Sequence, residues 1–245
     1  MARDMTNKKE QLPSEINFAE DANVGFEDLT QQDVAIPFFV LLQKMSPQLD
    51  SVEGAKAGQV FNTVTEEVCD ELKVIPCAYK REFVEWTPRD AGGGLVAQHS
   101  IDSEAVQKAT RSADGRLISA AGNWLVETAY HFVLAVTKNG LERGLLTMTS
   151  TQLKKNRRWN SLMSGIKLKD SKGNSYTPAR YSHVYKLTSS QEKNDKGSWY
   201  GWNIELESQV LKQDVYSNAK EFAGSIQSGD VKTTAPVQEE ETKHF

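Results

Sequence analysis

Eight cations crowd one stretch of this chain. Between Thr151 and Tyr185, Lys154, Lys155, Arg157, Arg158, Lys167, Lys169, Lys172 and Arg180 meet a single acid, Asp170. The whole chain carries a formal charge of -4. So one-signed a stretch costs self-repulsion, which a polyanionic partner would offset. Trp159, Tyr176, Tyr181 and Tyr185 lie within it, and Trp199, Tyr200 and Trp202 follow. Cations neutralise phosphates and flat rings stack on unpaired bases, the combination that sequence-tolerant binding of single strands uses. Lys154, Lys155, Arg157, Arg158, Lys167, Lys169 and Arg180 are the candidate phosphate contacts. Trp86, Trp159 and Tyr181 are the candidate stacking platforms, Trp86 because Lys80, Arg81 and Arg89 flank its run. The competing reading is a merely solvated charged face whose aromatics are core. Trp124, Tyr130 and Phe132, set in apolar runs, are assigned to that core.

Other chemistries find little footing. Gly92-Gly93-Gly94 lacks the lysine and following helix of a phosphate loop, and there is no GxSxG elbow. Glu66, Glu67, Asp70 and Glu71 flank a turn and read as solvated loop. Cys69 and Cys77 read as reduced thiols, Cys77 as a small buried group. His99, His131, His183 and His244 stand singly, so no zinc spacing arises, and neither a metal nor a cofactor is expected. The chain is read as no enzyme.

The elements that must position these residues are mostly strands. Leu72 to Tyr79, Lys80 to Trp86, Trp124 to Thr128, His131 to Thr137, Leu141 to Thr149, Tyr181 to Thr188 and Trp199 to Leu206 are short runs rich in Val, Thr and aromatics. Lys138-Asn139-Gly140 and Asn194-Asp195-Lys196-Gly197 are hairpin turns between them. In the last run, either Trp199, Gly201 and Asn203 or Tyr200 and Trp202 must face the core. Ser150 to Ile166 breaks the pattern: Leu153, Trp159, Leu162, Met163 and Ile166 recur at helical spacing, with the basic cluster along the first half. Ile36 to Met45 is too short for periodicity to decide between a buried strand and a two-turn helix; Pro37 at its first position favours the helix. Asp90 to Gly122 reads as a long excursion, either mobile or carrying a short helix near Ser103 to Arg111, and Gln209 to Ile226 as a last helix. The predicted fold is a mostly β, OB-like small barrel with an embedded basic helix.

At 245 residues and 38% hydrophobic content, the chain reads as one domain with solvated ends. Residues 1–35 are expected to be a flexible acidic arm, 36–226 the nucleic-acid-binding domain, and 227–245 an acidic tail. No run approaches the roughly 18 apolar residues a membrane span needs, so a cytoplasmic protein is expected. The tail closes on Glu239-Glu240-Glu241 and Phe245. Such a segment can compete for a basic groove or offer partners an anionic hook with an apolar anchor.

An acidic arm, a strand-rich middle holding a basic helix, and an acidic tail ending in phenylalanine together resemble the single-stranded-DNA-binding proteins of podovirus replisomes. Ile36-Pro37-Phe38 through Trp86-Thr87-Pro88-Arg89 is also similar to early proteins of tailed phages. The resemblance implies an OB-fold module with an extra helix, a dimer, residence in the host cytoplasm, and work in DNA replication or recombination. It further implies that Glu239, Glu240, Glu241 and Phe245 contact replisome partners such as polymerase and helicase. The Asp90 to Gly122 excursion and the Lys243-His244 interruption depart from that pattern. The rival to DNA binding is a phage protein-interaction factor, a replisome accessory or an inhibitor of a host nucleic-acid enzyme, whose Asp28 and Asp33 mimic phosphates. An enzyme acting on DNA ends is a third class, and magnesium-dependent turnover would reveal it.

Overall fold

A computed structural model of the protein describes residues 17–30, 33–138, 140–195 and 197–229. The chain divides into Met1–Val34 and Ala35–Phe245. In the first unit the described residues form exposed turns without helix or strand, pinned locally by Gly25 N–H on Glu27 and by Thr30 N–H on Asp33. The tail residues Glu239, Glu240, Glu241 and Phe245 lie outside the described residues.

The second unit runs β1 (Phe39–Leu41), α1 (Gln48–Ser51), β2 (Val60–Asn62), β3 (Val68–Cys69), β4 (Leu72–Trp86), β5 (Leu95–Ser100), α2 (Glu104–Gln107), β6 (Thr110–Arg111), β7 (Leu117–Ile118), β8 (Trp124–Thr137) and β9 (Gly140–Thr149). It continues through α3 (Leu153–Gly165), β10 (Leu168–Lys169), β11 (Ser175–Tyr176), β12 (His183–Asn194), β13 (Gly197–Gln209) and α4 (Gln213–Gln227). The main sheet has the order β13-β12-β4-β8-β7-β6, with β5 added on β4 and β9 on β8. It curls into a half-barrel, so the protein is mostly β and has the form of an OB-like small barrel.

Two long strands make the frame. The paired runs on either side of residue 80, and on either side of residue 130, fuse into β4 and β8, which pair antiparallel from Lys73↔Val136 to Trp86↔Trp124. The register shifts between Pro76 and Ala78. Proline has no N–H to give the ladder, and a bulge is where a sheet tolerates it. The extra residue also resets the facing of β4. Val74 and Tyr79 then serve one core, Ile75 and Ala78 the other.

One core fills the curl, where Val74, Leu146, Met148, Trp159, Tyr185, Leu187, Trp202 and Ile204 meet. Tyr200 packs against it too, so the Tyr200 and Trp202 side of β13 is the inner one. The other core lies on the opposite face of the sheet, where Ile75, Phe132 and Leu134 are covered by Ala219, Phe222 and Ala223 of α4. A fully enclosed ring such as Phe222 contributes about 1.5–3 kcal/mol by transfer.

Two expectations change. Ile36 to Met45 is not a helix: it forms the strand β1. Its backbone is spent sideways, with Phe39 to Leu41 in register with β2, the Leu42 N–H on Gln59, and the Pro37 carbonyl accepting from Leu145. A side chain at Gly144 would place its Cβ 2.1 Å from the Phe39 ring, so that glycine is what lets β1 lie on β9. The Asp90 to Gly122 excursion is less irregular than its composition suggests. It contributes β5 to β4 and β7 to β8, and its short helix, α2, starts at Ser103, whose side chain accepts from the Val106 N–H.

Candidate nucleic-acid interface

A 3-10 turn at Ser150–Gln152 feeds α3, which packs Asn156, Trp159 and Met163 inward. Helical spacing therefore turns Lys154, Arg157, Arg158 and Ser161 outward, and all four are exposed. The apolar stripe read from the sequence was partly misplaced: Leu162 is 40% exposed, and the amide of Asn156 takes an enclosed position instead. The first turn of α3 holds no acid. Lys154 and Lys155 there oppose the positive end of the helix dipole, a cost of about 0.3–1 kcal/mol per charge that packing alone does not require.

The cations sort into three groups. Lys154, Arg157, Arg158, Lys169 and Lys172 are exposed and make no ion pair among the described residues. Lys167 is exposed as well, with its ammonium on the Thr177 hydroxyl. Lys155 differs, because it is paired with Glu192. Gly201 makes room for that pair, since a Cβ there would come within 2.7 Å of the Glu192 carboxylate. The single acid of the segment is occupied elsewhere. Asp170 accepts from the backbone N–H of Lys172 and Asn174 at 2.8 and 2.9 Å and from the Asn174 side chain at 3.0 Å, which shapes the β10–β11 turn. The Asn174 side-chain and backbone hydrogen bonds hold its carboxyl below the ordinary range. No acid of this segment is left to pair with Lys169 or Lys172.

Arg180 belongs to the interior side of this region. Its guanidinium donates to Asn160 Oδ1 at 3.1 Å and to His131 Nδ1 at 3.2 Å, and it lies 5.3 Å from the Tyr79 ring centroid. His131, fully enclosed, donates from Nε2 to Asn156 Oδ1 at 2.8 Å. Burial first, then the nearby Arg180 charge, pushes the imidazole down to about 3, so the ring is neutral. This network was missed. Its sequence signal is faint: Asn156 and Asn160 stand four apart on the stripe that should be apolar.

The stacking assignments do not survive as a set. Trp159 has no exposed surface: it stacks on His131 at 4.4 Å and meets Tyr185 edge-on at 5.6 Å, so no base can reach it. Trp86 and Tyr181 pack against the other core, on the α4 side of the sheet, Tyr181 edge-on to Tyr216 at 5.1 Å. The three rings therefore form no common platform. The exposed ring of the basic segment is Tyr176, 46% accessible, paired with Leu168 across the β10–β11 ladder beside Lys169. A lone tyrosine between turn residues gave no reason to prefer it.

Both cysteines are unpaired, and burial pushes the Cys77 thiol up to about 12, which leaves it inert. Among the described residues, no cluster of His, Cys, Asp and Glu suits a metal ion, and no helix is long and apolar enough to cross a membrane. A second buried polar cluster is fully satisfied. Burial would raise the Glu85 carboxyl, but hydrogen bonds from Ser119, Asn123 and His99 at 2.7–2.9 Å outweigh it and lower the pKa.

Residues 6–232 match the family described as Pam3 phage gp34-like protein. No curated protein and no solved structure matches the chain.

Proposed function

The chain belongs to the Pam3 phage gp34-like family, and from that premise we propose that this phage protein binds single-stranded DNA with little sequence preference during phage DNA replication or recombination in the host cytoplasm. One observation carries the reading. In a chain of net charge -4, Lys154, Arg157, Arg158, Lys169 and Lys172 are exposed without a carboxylate partner among the described residues. Cations kept solely for solubility gain by pairing with the plentiful acids of their own chain. These stay available to phosphates, with Lys167 beside them and Tyr176 as the ring within reach of the same hairpin. Each phosphate-bound cation contributes about 0.7 to the salt slope on single strands.

Fluorescence anisotropy with labelled oligothymidine tests this. Wild type should bind with steep salt dependence, and the folded triple variant Lys154→Ala, Arg157→Ala, Arg158→Ala should bind weakly, with a slope lower by about 2. A salt-independent affinity, or wild-type affinity in the variant, defeats the reading. Absence of binding by wild type, with and without its final eight residues, favours the interaction-factor alternative. In that case Asp28 and Asp33 become the residues to substitute.

A further inference from the structure

The β10–β11 hairpin adds nothing to the protein's interior. From Ser164 to Ala179 no residue belongs to either core, and Lys169 to Thr177 are exposed throughout. The hairpin is a separate two-stranded sheet. Such a ribbon is marginal in water by itself, yet local chemistry holds this one. Asp170 accepts from the backbone N–H of Lys172 and Asn174, the Asp170 N–H donates to the Asn174 carbonyl, and the Lys167 ammonium meets the Thr177 hydroxyl. Both ends are tied to α3. Leu168 follows closely on Gly165, where the helix ends, and Arg180 donates to Asn160 of that helix at 3.1 Å. The hairpin is thus a braced projection from the basic helix, and packing does not account for it.

Its two faces differ in chemistry. Leu168 lies opposite Tyr176, and Lys169 opposite Ser175. Side chains alternate across a strand, so Tyr176 and Leu168 share one face while Lys167 and Lys169 share the other, with Lys172 in the turn between the strands. An unpaired polynucleotide has the same division, with phosphates along one side and base faces free on the other. Laid across the edge of the ribbon, it would turn phosphates to the lysines and a base to the ring. A duplex offers the phosphates too, but its base faces are stacked inside. Cations alone therefore distinguish the two poorly, whereas an exposed ring responds only to the unpaired base. Among the described residues after Val34, Tyr176 is the one Phe, Tyr or Trp that is exposed.

We propose that this hairpin is the element that distinguishes unpaired from paired polynucleotide. Tyr176 stacks on an unpaired base, and Lys169 and Lys172 hold the adjoining backbone. The inference rests on the nucleic-acid reading and adds its specificity determinant.

The test measures fluorescence anisotropy of the full chain with labelled oligothymidine, and separately with the same strand annealed to oligodeoxyadenosine, across a salt series. Wild type should bind the single strand more tightly than the duplex. Tyr176→Ala, at an exposed position where Tm should not move, should weaken oligothymidine binding at least about fivefold, with the salt slope and the duplex affinity unchanged. Tyr176→Trp should keep the wild-type preference. The double variant Lys169→Ala, Lys172→Ala should weaken binding to both probes and lower the oligothymidine slope by about 1.4. A wild-type preference retained in Tyr176→Ala, equal weakening on both probes, or equal affinity of wild type for the two overturns the assignment and leaves nucleic-acid binding through α3 intact. Absence of binding to either probe by wild type overturns the assignment together with the reading beneath it, and favours a protein as the hairpin's partner.

Discussion

The inner side of α3 holds Asn156, Trp159 and Met163 against the barrel core, while its outer side carries Lys154, Arg157 and Arg158 with no carboxylate partner among the described residues. One side is committed to the fold and the other is not. Inside, each position is constrained by close packing and by hydrogen bonds that water cannot replace. Outside, Lys154 lies unfavourably in the first turn of the helix, and the exposed Arg157 and Arg158 form no ion pair among the described residues. A helix under selection for stability alone would carry acids in that first turn. The contrast teaches that stability and binding are separable here, residue by residue, along a single element.

The sharpest way to break the contrast is Trp159→Ala. Truncating this enclosed ring should cost about 3–5 kcal/mol in urea unfolding. A near-neutral result would mean that the ring is not core. Acid comes next. The folded His131 pKa sits near 3, below the ordinary value of 6.5, so its contribution is fully present above pH 6.5. It is lost as pH falls towards 3, because the unfolded chain takes up the proton first. Urea midpoints measured across that window should drop more steeply in wild type than in His131→Gln, and parallel profiles would exclude a neutral buried imidazole.

Smaller changes belong to the outer side. Lys154→Ala, Arg157→Ala and Arg158→Ala should each shift stability by no more than about 0.5 kcal/mol. A larger loss in any of them shows that the outer side has a structural task after all. Glu192→Gln should cost less than about 1 kcal/mol, the range of exposed or half-exposed ion pairs. It also releases Lys155, so oligothymidine affinity should rise in low salt. Unchanged affinity would place Lys155 off the binding path.

Much of the fold was legible because local chemistry suffices for it. The turn at Lys138 to Gly140 closes the β8–β9 hairpin at Thr137↔Gly140, and Asn194↔Gly197 closes the last one. The helical run after Ser150 and the final helix were both marked by periodicity. Ile36 to Met45 was not legible: whether a short apolar run becomes helix or strand depends on which partners offer it backbone hydrogen bonds, and those partners, β2 and an isolated bridge from Phe38 to Leu145, lie outside the run itself. The candidate site shows the same limit. Residue types marked Trp159 and Arg180 as binding groups, yet the interior claims both, since a ring and a guanidinium serve packing and buried polar networks as readily as they serve nucleotides.

By itself the sequence determined that this protein is a mostly β chain with one basic helix, because alternation, turn chemistry and the one-signed charge are properties of neighbours along the chain. Only the tertiary structure decided which cations remain unpaired, which rings stay accessible, and that Arg180 is held without a counter-charge. Those outcomes depend on contacts between residues distant in sequence, such as Lys155 with Glu192 and His131 with Arg180, and no local pattern encodes them.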